Sequence, residues 1–187
     1  MRSLILVRHS LPVLRRDVPA ADWHLSPEGV LRAREFARRL LRTDAACVFT
    51  STEPKAIETA QAIAGELNVP VEQAPGLHEH ERPEAQLLSR ESFEQRISDL
   101  FARPDELVFG AETAAQARKR FTMAVMRLVA RGPGDVIVVT HGTVMALFVA
   151  EVTGIEPFAF WKRQQMPCAT RLKLPELQID GSAFLSD

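Results

Sequence analysis

The sequence predicts an α/β fold, specifically a three-layer α/β/α sandwich with a largely parallel central sheet. Two observations support this prediction. Short apolar runs typical of buried parallel strands alternate with longer segments whose apolar residues recur at helical spacing. The chain also has 187 residues, 46% hydrophobic and 25% charged, which are ordinary values for one globular domain. We therefore expect a single domain over residues 1–187, with room for a small helical cap within residues 78–110.

The first half of the chain consists of two strand and helix units. Residues 4–7 (Leu-Ile-Leu-Val) form a short apolar run that predicts a buried strand. Ser26 and Pro27 then favour a helix start, as N-cap and first helical residue. A second strand is predicted over residues 47–51, and a helix follows over about residues 53–67.

The second half continues this alternation. Its predicted elements are a short strand over residues 69–72, helices over 84–101 and 112–130, a strand over 136–139 and a helix that ends near residue 152. The tail is expected to form a hairpin of residues 171–179 with residues 182–185, and Asp180-Gly181 would supply its turn.

Charge and cysteine content exclude several functions. The 23 Lys and Arg residues nearly match the 24 Asp and Glu residues, which gives a net charge of -1 and no overall attraction for nucleic acid or anionic membranes. Cys47 and Cys168 lie outside any CxxC spacing, so neither a metal site nor a redox pair is predicted. The apolar N-terminal run is too short for a signal peptide or a membrane span, and we expect a cytoplasmic protein.

Three predicted strands end in polar residues that are suited to bind an anion. In open α/β sheets, ligands bind outside the carboxyl ends of the strands, so remote segments can converge there. The helices after Ser51 and His141 would add backbone N–H groups and positive dipole ends. Arg8 offers a planar fork for two phosphate oxygens, and Lys55 offers a point charge. The three ends are Arg8-His9-Ser10, Thr50-Ser51 and Thr140-His141-Gly142.

Two histidines give this anion pocket a chemical use. A neutral imidazole can attack phosphorus, and a second histidine can donate to the phosphoryl oxygens in the transition state. The leaving oxygen then needs a proton from a carboxyl group on the opposite side of the phosphate. Glu79 and Glu81 are the candidates, and this reasoning leaves the choice between them open.

Six short motifs occur in a characteristic order along the chain. Each match is weak alone, whereas six in this order are specific. They are Arg-His at the end of a strand (residues 6–9), Leu-Ser-x-x-Gly (25–29), Ser-x-x-x-Lys-Ala-x-x-Thr-Ala (51–60), Leu-x-Glu (77–79), Gly-x-Glu-Thr (110–113) and His-Gly (141–142). With them the chain resembles the histidine phosphatase superfamily, also called the phosphoglycerate mutase-like family, over nearly its whole length.

The resemblance implies a phosphatase that hydrolyses small phosphate monoesters and releases inorganic phosphate, with neither a metal nor another cofactor. His9 would be the nucleophile and would carry a phosphohistidine intermediate. Arg8 and His141 would hold the phosphoryl group. Glu79 would donate the proton to the leaving group and later deprotonate the attacking water.

The sequence departs from the family pattern at two positions. Ser10 replaces the common Gly after the nucleophile, and Lys55 stands where the family usually has a second phosphate-binding Arg. A lysine cannot reproduce a bidentate contact, so activity or substrate preference could differ. We still expect Ser10, Lys55 and Gly142 to contribute to substrate binding.

Two alternative functions remain open. A phosphoglycerate mutase would return the phosphoryl group to its substrate, but the chain is short for one and residues 10–23 lack the usual Asn of that substrate loop. A phosphate-binding protein without turnover is the second alternative, suggested by Lys55. The alternation His78-Glu79-His80-Glu81 raises the idea of a metal site, but no further ligand lies close in sequence, so none is predicted. The sequence identifies neither the substrate nor the oligomeric state.

Overall fold

The computed structural model describes residues 2–40, 43–82 and 88–180. Its strands are β1 (Ser3–Arg8), β2 (Val48–Thr50), β3 (Val71–Gln73), β4 (Val136–Thr140), β5 (Cys168–Lys173) and β6 (Gln178–Ile179). Its α-helices are α1 (Pro27–Ala37), α2 (Pro54–Leu67), α3 (Arg90–Ala102), α4 (Ala114–Val129), α5 (Gly142–Thr153) and α6 (Pro157–Arg163). No helix in these described ranges has the length and apolar character that a membrane crossing needs.

The strands form one six-stranded sheet in the order β3-β2-β4-β1-β5-β6. The pairings among β3, β2, β4 and β1 are parallel, whereas β5 pairs antiparallel with β1 and β6 antiparallel with β5. The predicted, largely parallel sheet is therefore confirmed. In this register Arg8 lies beside Thr140, and Thr50 lies beside Val139, so the carboxyl ends of β1, β2 and β4 share one edge.

Apolar residues on both faces of the central strands explain the three layers. All four side chains of residues 4–7 are buried, and they alternate between the two faces. Leu6 belongs to an apolar cluster with Phe148 of α5, and Val7 belongs to a second cluster with Phe36 of α1. Helices α1 and α2 thus cover one face of the sheet, and α4 and α5 cover the other.

The predicted start of α1 is confirmed and explains one motif. The Ser26 hydroxyl accepts a hydrogen bond from the Gly29 N–H (2.9 Å), and Pro27 is the first helical residue. A Cβ at Gly29 would lie only 2.1 Å from the Leu11 carbonyl oxygen. A glycine is required there because the loop that follows His9 packs directly on the start of α1.

The predicted continuous strand over residues 171–179 is wrong, because the structure divides it into two strands. The antiparallel pair is β5 with β6, and residues 174–177 connect them, with Leu177 at φ 56°. Pro175 has no N–H to donate to a ladder, so it ends the strand that pairs with β1. The predicted second strand at residues 182–185 lies outside the described residues.

Other boundaries also differ from the prediction. Helix α3 begins at Arg90 instead of residue 84, because the Ser89 hydroxyl caps it by accepting from the Ser92 N–H (3.1 Å). Helix α4 begins at Ala114, after a capping box on Thr113. Strand β3 lies slightly later than predicted, and α1 ends at Ala37 in a 3₁₀ turn. Helix α3 lies within residues 78–110, and the cap there stays a prediction.

Candidate active site

The three polar strand ends converge at the carboxyl edge of the sheet. His9 follows β1 and His141 follows the adjacent β4, and their ring centroids are 5.2 Å apart. Ser51 follows β2, and its hydroxyl oxygen lies 2.8 Å from Nε2 of His141. Residues that are far apart in sequence therefore share one small site, as the parallel register requires.

His9 is held with one ring nitrogen available. Its Nδ1 lies 2.7 Å from the Ser10 carbonyl oxygen, and because a carbonyl only accepts, Nδ1 carries the hydrogen. Nε2 therefore keeps its lone pair. Burial lowers the pKa of His9 well below its usual value, and the neighbouring His141 and Lys55 lower it further. The ring is neutral at neutral pH, the state that a nucleophile needs.

Ser10 makes hydrogen bonds within the protein that fix the loop after His9. Its N–H donates to Oγ1 of Thr59 (2.9 Å), and its hydroxyl donates to the Gly29 carbonyl (2.7 Å). Because both donors of Ser10 are used, the geometry gives no support to the prediction that Ser10 binds substrate directly. It connects the His9 loop to α1 and α2.

Arg8 lies half-buried beside the start of α5. One guanidinium nitrogen, Nη1, donates to the Gln164 carbonyl (2.9 Å), while Nε has no hydrogen-bond partner among the described residues. Burial lowers the pKa of Arg8, although its ordinary value is high enough to keep the group charged. A Cβ at Gly142 would lie 3.1 Å from Nε of Arg8, so Gly142 permits this approach.

His141 is completely buried at the N-terminus of α5. Besides the Ser51 hydroxyl, its Nε2 lies 3.4 Å from Oε1 of Glu53. Its Nδ1 has no partner in the described part of the chain. Burial lowers the pKa of His141 well below its usual value, and Lys55 lowers it further, so this ring is also neutral.

Glu79 caps the start of α5 from another part of the chain. Its Oε2 accepts from the Thr143 N–H (3.1 Å), and its Oε1 accepts from the N–H groups of Val144 (3.2 Å) and His80 (2.9 Å). Burial alone would raise the pKa of the Glu79 carboxyl, but Arg82, His141 and these N–H groups hold it well below its usual value. The carboxyl is ionised in the free protein.

The structure separates the two candidate acids. The Glu79 side chain is 15% exposed within the site, whereas the Glu81 side chain is 50% exposed and lies 3.3 Å from Nε2 of His78. The geometry therefore favours Glu79 as the acid. Nε2 of His80 is bonded to the Glu112 carbonyl oxygen (2.8 Å), and its Nδ1 has no hydrogen-bond partner in the described part of the chain. The described residues contain no cluster of three or more His, Cys, Asp and Glu that could hold a metal ion.

Lys55 lies in the pocket wall, but it has an unexpected partner. Its Nζ pairs with Oε2 of Glu53 and donates to the Ala20 carbonyl (2.6 Å). Glu53 also accepts from the Glu79 N–H through Oε1 (2.7 Å). Sequence reasoning placed Glu53 at the helix start and missed this role, although a Glu two residues before the predicted phosphate ligand was a signal.

Arg82 is the second residue that sequence reasoning missed. Its guanidinium lies over the rings of Phe93 (5.1 Å) and Phe109 (5.6 Å), and Nη2 is 3.5 Å from Oε2 of Glu79. It therefore brings a further positive charge to the rim of the site. Its position depends on side chains from two distant segments, which no local sequence signal reveals.

Three solved structures illustrate the likeness of this fold to known proteins. YhfR of Bacillus stearothermophilus is 22% identical, with a TM-score of 0.76 and coverage of 96% of this chain and 95% of that one. Phosphoserine phosphatase of Entamoeba histolytica, in complex with 3-phosphoglyceric acid, is 20% identical, with a TM-score of 0.76 and coverage of 100% and 98%. A mycobacterial glucosyl-3-phosphoglycerate phosphatase is 20% identical, with a TM-score of 0.74 and coverage of 91% and 89%.

These structures confirm the predicted phosphoglycerate mutase-like fold, and at these identities they show the fold alone. A comparison with curated proteins finds no match. The model of the histidine phosphatase superfamily (branch 1) matches residues 4–180, which include all six motifs. By sequence and by fold, the chain belongs to the histidine phosphatase superfamily.

Proposed function

We propose that this protein is a phosphatase that hydrolyses small phosphate monoesters through a phosphohistidine on His9. One observation carries the proposal. Two neutral, buried imidazoles lie 5.2 Å apart at the ends of adjacent strands, and Nε2 of His9 keeps its lone pair. Nε of Arg8, which has no partner among the described residues, supplies a donor for phosphoryl oxygens beside these rings.

In the first step, Nε2 of His9 forms a bond to phosphorus while the bond from phosphorus to the leaving oxygen breaks. Arg8 and His141 stabilise the charge on the phosphoryl oxygens. Alignment of Nε2 of His9 with phosphorus and the leaving oxygen contributes much of the rate enhancement. The leaving oxygen takes a proton from Glu79. This carboxyl is ionised in the free protein, but a phosphate dianion bound beside it raises its pKa and favours proton uptake.

In the second step, Glu79 removes a proton from water while the water oxygen bonds to phosphorus. The bond between phosphorus and Nε2 of His9 breaks, and inorganic phosphate leaves. Glu79 is then protonated and His9 neutral, as each was when the first step began. The cycle balances without a cofactor, and we propose that none is required.

Hydrolysis of p-nitrophenyl phosphate in the presence of EDTA tests the proposal. We expect His9→Ala to lose about a thousandfold or more in rate, since removing a nucleophile has effects of this size. His24→Ala is the matched control, because the His24 side chain is 68% exposed and lies outside the site. An acid-labile phosphoryl group should be trapped on the native protein alone. Equal rates of hydrolysis for the native protein and His9→Ala would show that His9 is not the nucleophile.

A second candidate is a phosphate-binding protein without turnover. Lys55 is the ground for this candidate, because a lysine at the position of the family's usual Arg cannot make a bidentate contact with the phosphoryl group during transfer. It predicts phosphate binding without hydrolysis in the same experiment. A mutase would instead be strongly stimulated by 2,3-bisphosphoglycerate, whereas a phosphatase would not respond to it.

A further inference from the structure

Glu53 places a buried negative charge among the groups proposed to bind phosphate. The residue is 8% exposed, and its carboxylate bridges two of those groups. Oε2 pairs with Nζ of Lys55, and Oε1 lies 3.4 Å from Nε2 of His141. A carboxylate in this position makes contacts that phosphoryl oxygens would also make.

A role in starting helix α2 does not explain this carboxylate. Glu53 is the N-cap residue of α2, yet its side chain makes no capping hydrogen bond to the helix. The carboxylate turns away from the positive helix end, where it would be stabilised, and accepts from the Glu79 N–H (2.7 Å) instead. The local sequence thus leaves the carboxylate directed into the site.

Stability does not explain it either. Desolvating both members of a buried ion pair often costs as much as their attraction returns, and apolar replacements are frequently neutral or better. The Lys55 side chain is 5% exposed and the Glu53 side chain 9%, so both charges are largely removed from water. A pair of this kind is weak grounds for a purely structural role.

We propose that Glu53 is an internal competitor of the phosphoryl group for Lys55 and His141. The inference rests on the proposed function, because it concerns the same pocket. Without this carboxylate, Arg8, Lys55 and His141 would bind inorganic phosphate tightly and retain the product. As phosphate leaves, the Glu53 carboxylate pairs with Lys55 again, so the product dissociates faster than it would without this carboxylate.

Binding of inorganic phosphate by isothermal titration tests this competition without any need for turnover. We expect Glu53→Gln and Glu53→Leu to bind phosphate about tenfold tighter than the native protein, which corresponds to about 1.4 kcal/mol. In hydrolysis assays the same variants should show stronger inhibition by phosphate. Two variants are used because Gln keeps an acceptor for the Glu79 N–H, whereas Leu removes both acceptors.

Glu58→Gln is the matched control, since Glu58 lies on the same helix but accepts from the Leu25 N–H (2.7 Å) outside the pocket. Its phosphate affinity should equal that of the native protein. Unchanged or weaker phosphate binding by both Glu53 variants would overturn the inference. It would mean that Glu53 holds Lys55 in position to bind substrate and does not compete with the phosphoryl group. If the inference fails in this way but the native protein still hydrolyses substrate through His9, the proposed function stands. If both Glu53 variants bind phosphate more tightly but the native protein hydrolyses nothing, the competition stands and the proposed function fails.

Discussion

The site has two regions that handle charge in opposite ways. Its floor, which we define as Arg8, His9 and His141, lies on the ends of β1 and β4, and its histidines are neutral. Its wall, the pairs Glu53 with Lys55 and Glu79 with Arg82, lies on loops and a helix start, and each charge has a partner. The floor is thus prepared for an incoming dianion, whereas the charges of the wall already balance each other. The two regions should therefore respond differently to substitution.

Arg8→Met should have the largest effect and should separate activity from stability. Nε of Arg8 is buried without a partner among the described residues, so phosphoryl oxygens lose a charged donor in the variant, and we expect hydrolysis to fall about a thousandfold. The free energy of unfolding should decrease by no more than about 1 kcal/mol, because one hydrogen bond to the Gln164 carbonyl is lost. Enzyme assays and urea unfolding measure the two quantities.

Arg32→Met is the control for this separation. Arg32 pairs with Glu28 on the exposed surface of α1, and its loss should change neither activity nor stability measurably. If Arg8→Met unfolds the protein, the floor is a structural element and not a site kept ready for a ligand.

Lys55→Met should reduce stability substantially, whereas Arg8→Met should mainly reduce activity. The substitution leaves the Glu53 carboxylate buried without its cation, and removing one partner of a buried pair costs about 3 kcal/mol. The double variant Glu53→Leu with Lys55→Met should recover most of this loss, because no unpaired charge remains. Urea unfolding of the native protein and both variants provides the measurement. No recovery in the double variant would show that the wall does not act as a pair.

The floor also predicts how stability depends on pH. The pKa values of His9 and His141 lie well below the ordinary value near 6.5, so below about pH 6.5 the unfolded chain binds protons that the folded chain does not. The free energy of unfolding therefore falls as pH decreases from about 6.5, by up to about 1.4 kcal/mol per pH unit for each histidine. Above this pH the contribution is constant.

Urea unfolding between about pH 7 and pH 5 measures this slope. The double variant His9→Gln with His141→Gln should lose their share of the excess slope, whereas His24→Gln should keep it because His24 is exposed. His80 is also buried and its pKa is also lowered by burial, so it keeps its own share in every variant. Equal slopes in all three proteins would mean that His9 and His141 take up protons in the folded state.

The same division marks what the sequence could predict. Apolar runs and strand-end polar residues predicted the main strands, a largely parallel sheet and the meeting of His9 with His141, because the carboxyl ends of parallel strands lie at one edge of a sheet. The contacts of the wall depend on side-chain directions that no repeating sequence pattern predicts. The Glu53 carboxylate makes no capping bond to its helix and accepts from the Glu79 N–H instead, and Arg82 lies over the Phe93 ring of α3. The continuous strand predicted over residues 171–179 is wrong, because Pro175 lies within it and β5, which pairs with β1, ends before this proline.

Arg82→Gln should give the smallest effect and shows whether the wall tunes the acid. Arg82 helps to hold the pKa of Glu79 below its usual value, so its removal should raise this pKa and favour the protonated acid. An alkyl phosphate has a poor leaving group and needs that proton, whereas p-nitrophenolate leaves readily without it. We therefore expect kcat for glycerol phosphate to rise a few fold relative to kcat for p-nitrophenyl phosphate. Arg90→Gln, at a surface pair with Glu94, should leave this ratio unchanged. An equal change for both substrates would assign Arg82 to binding and not to the acid, because only proton donation distinguishes the two leaving groups.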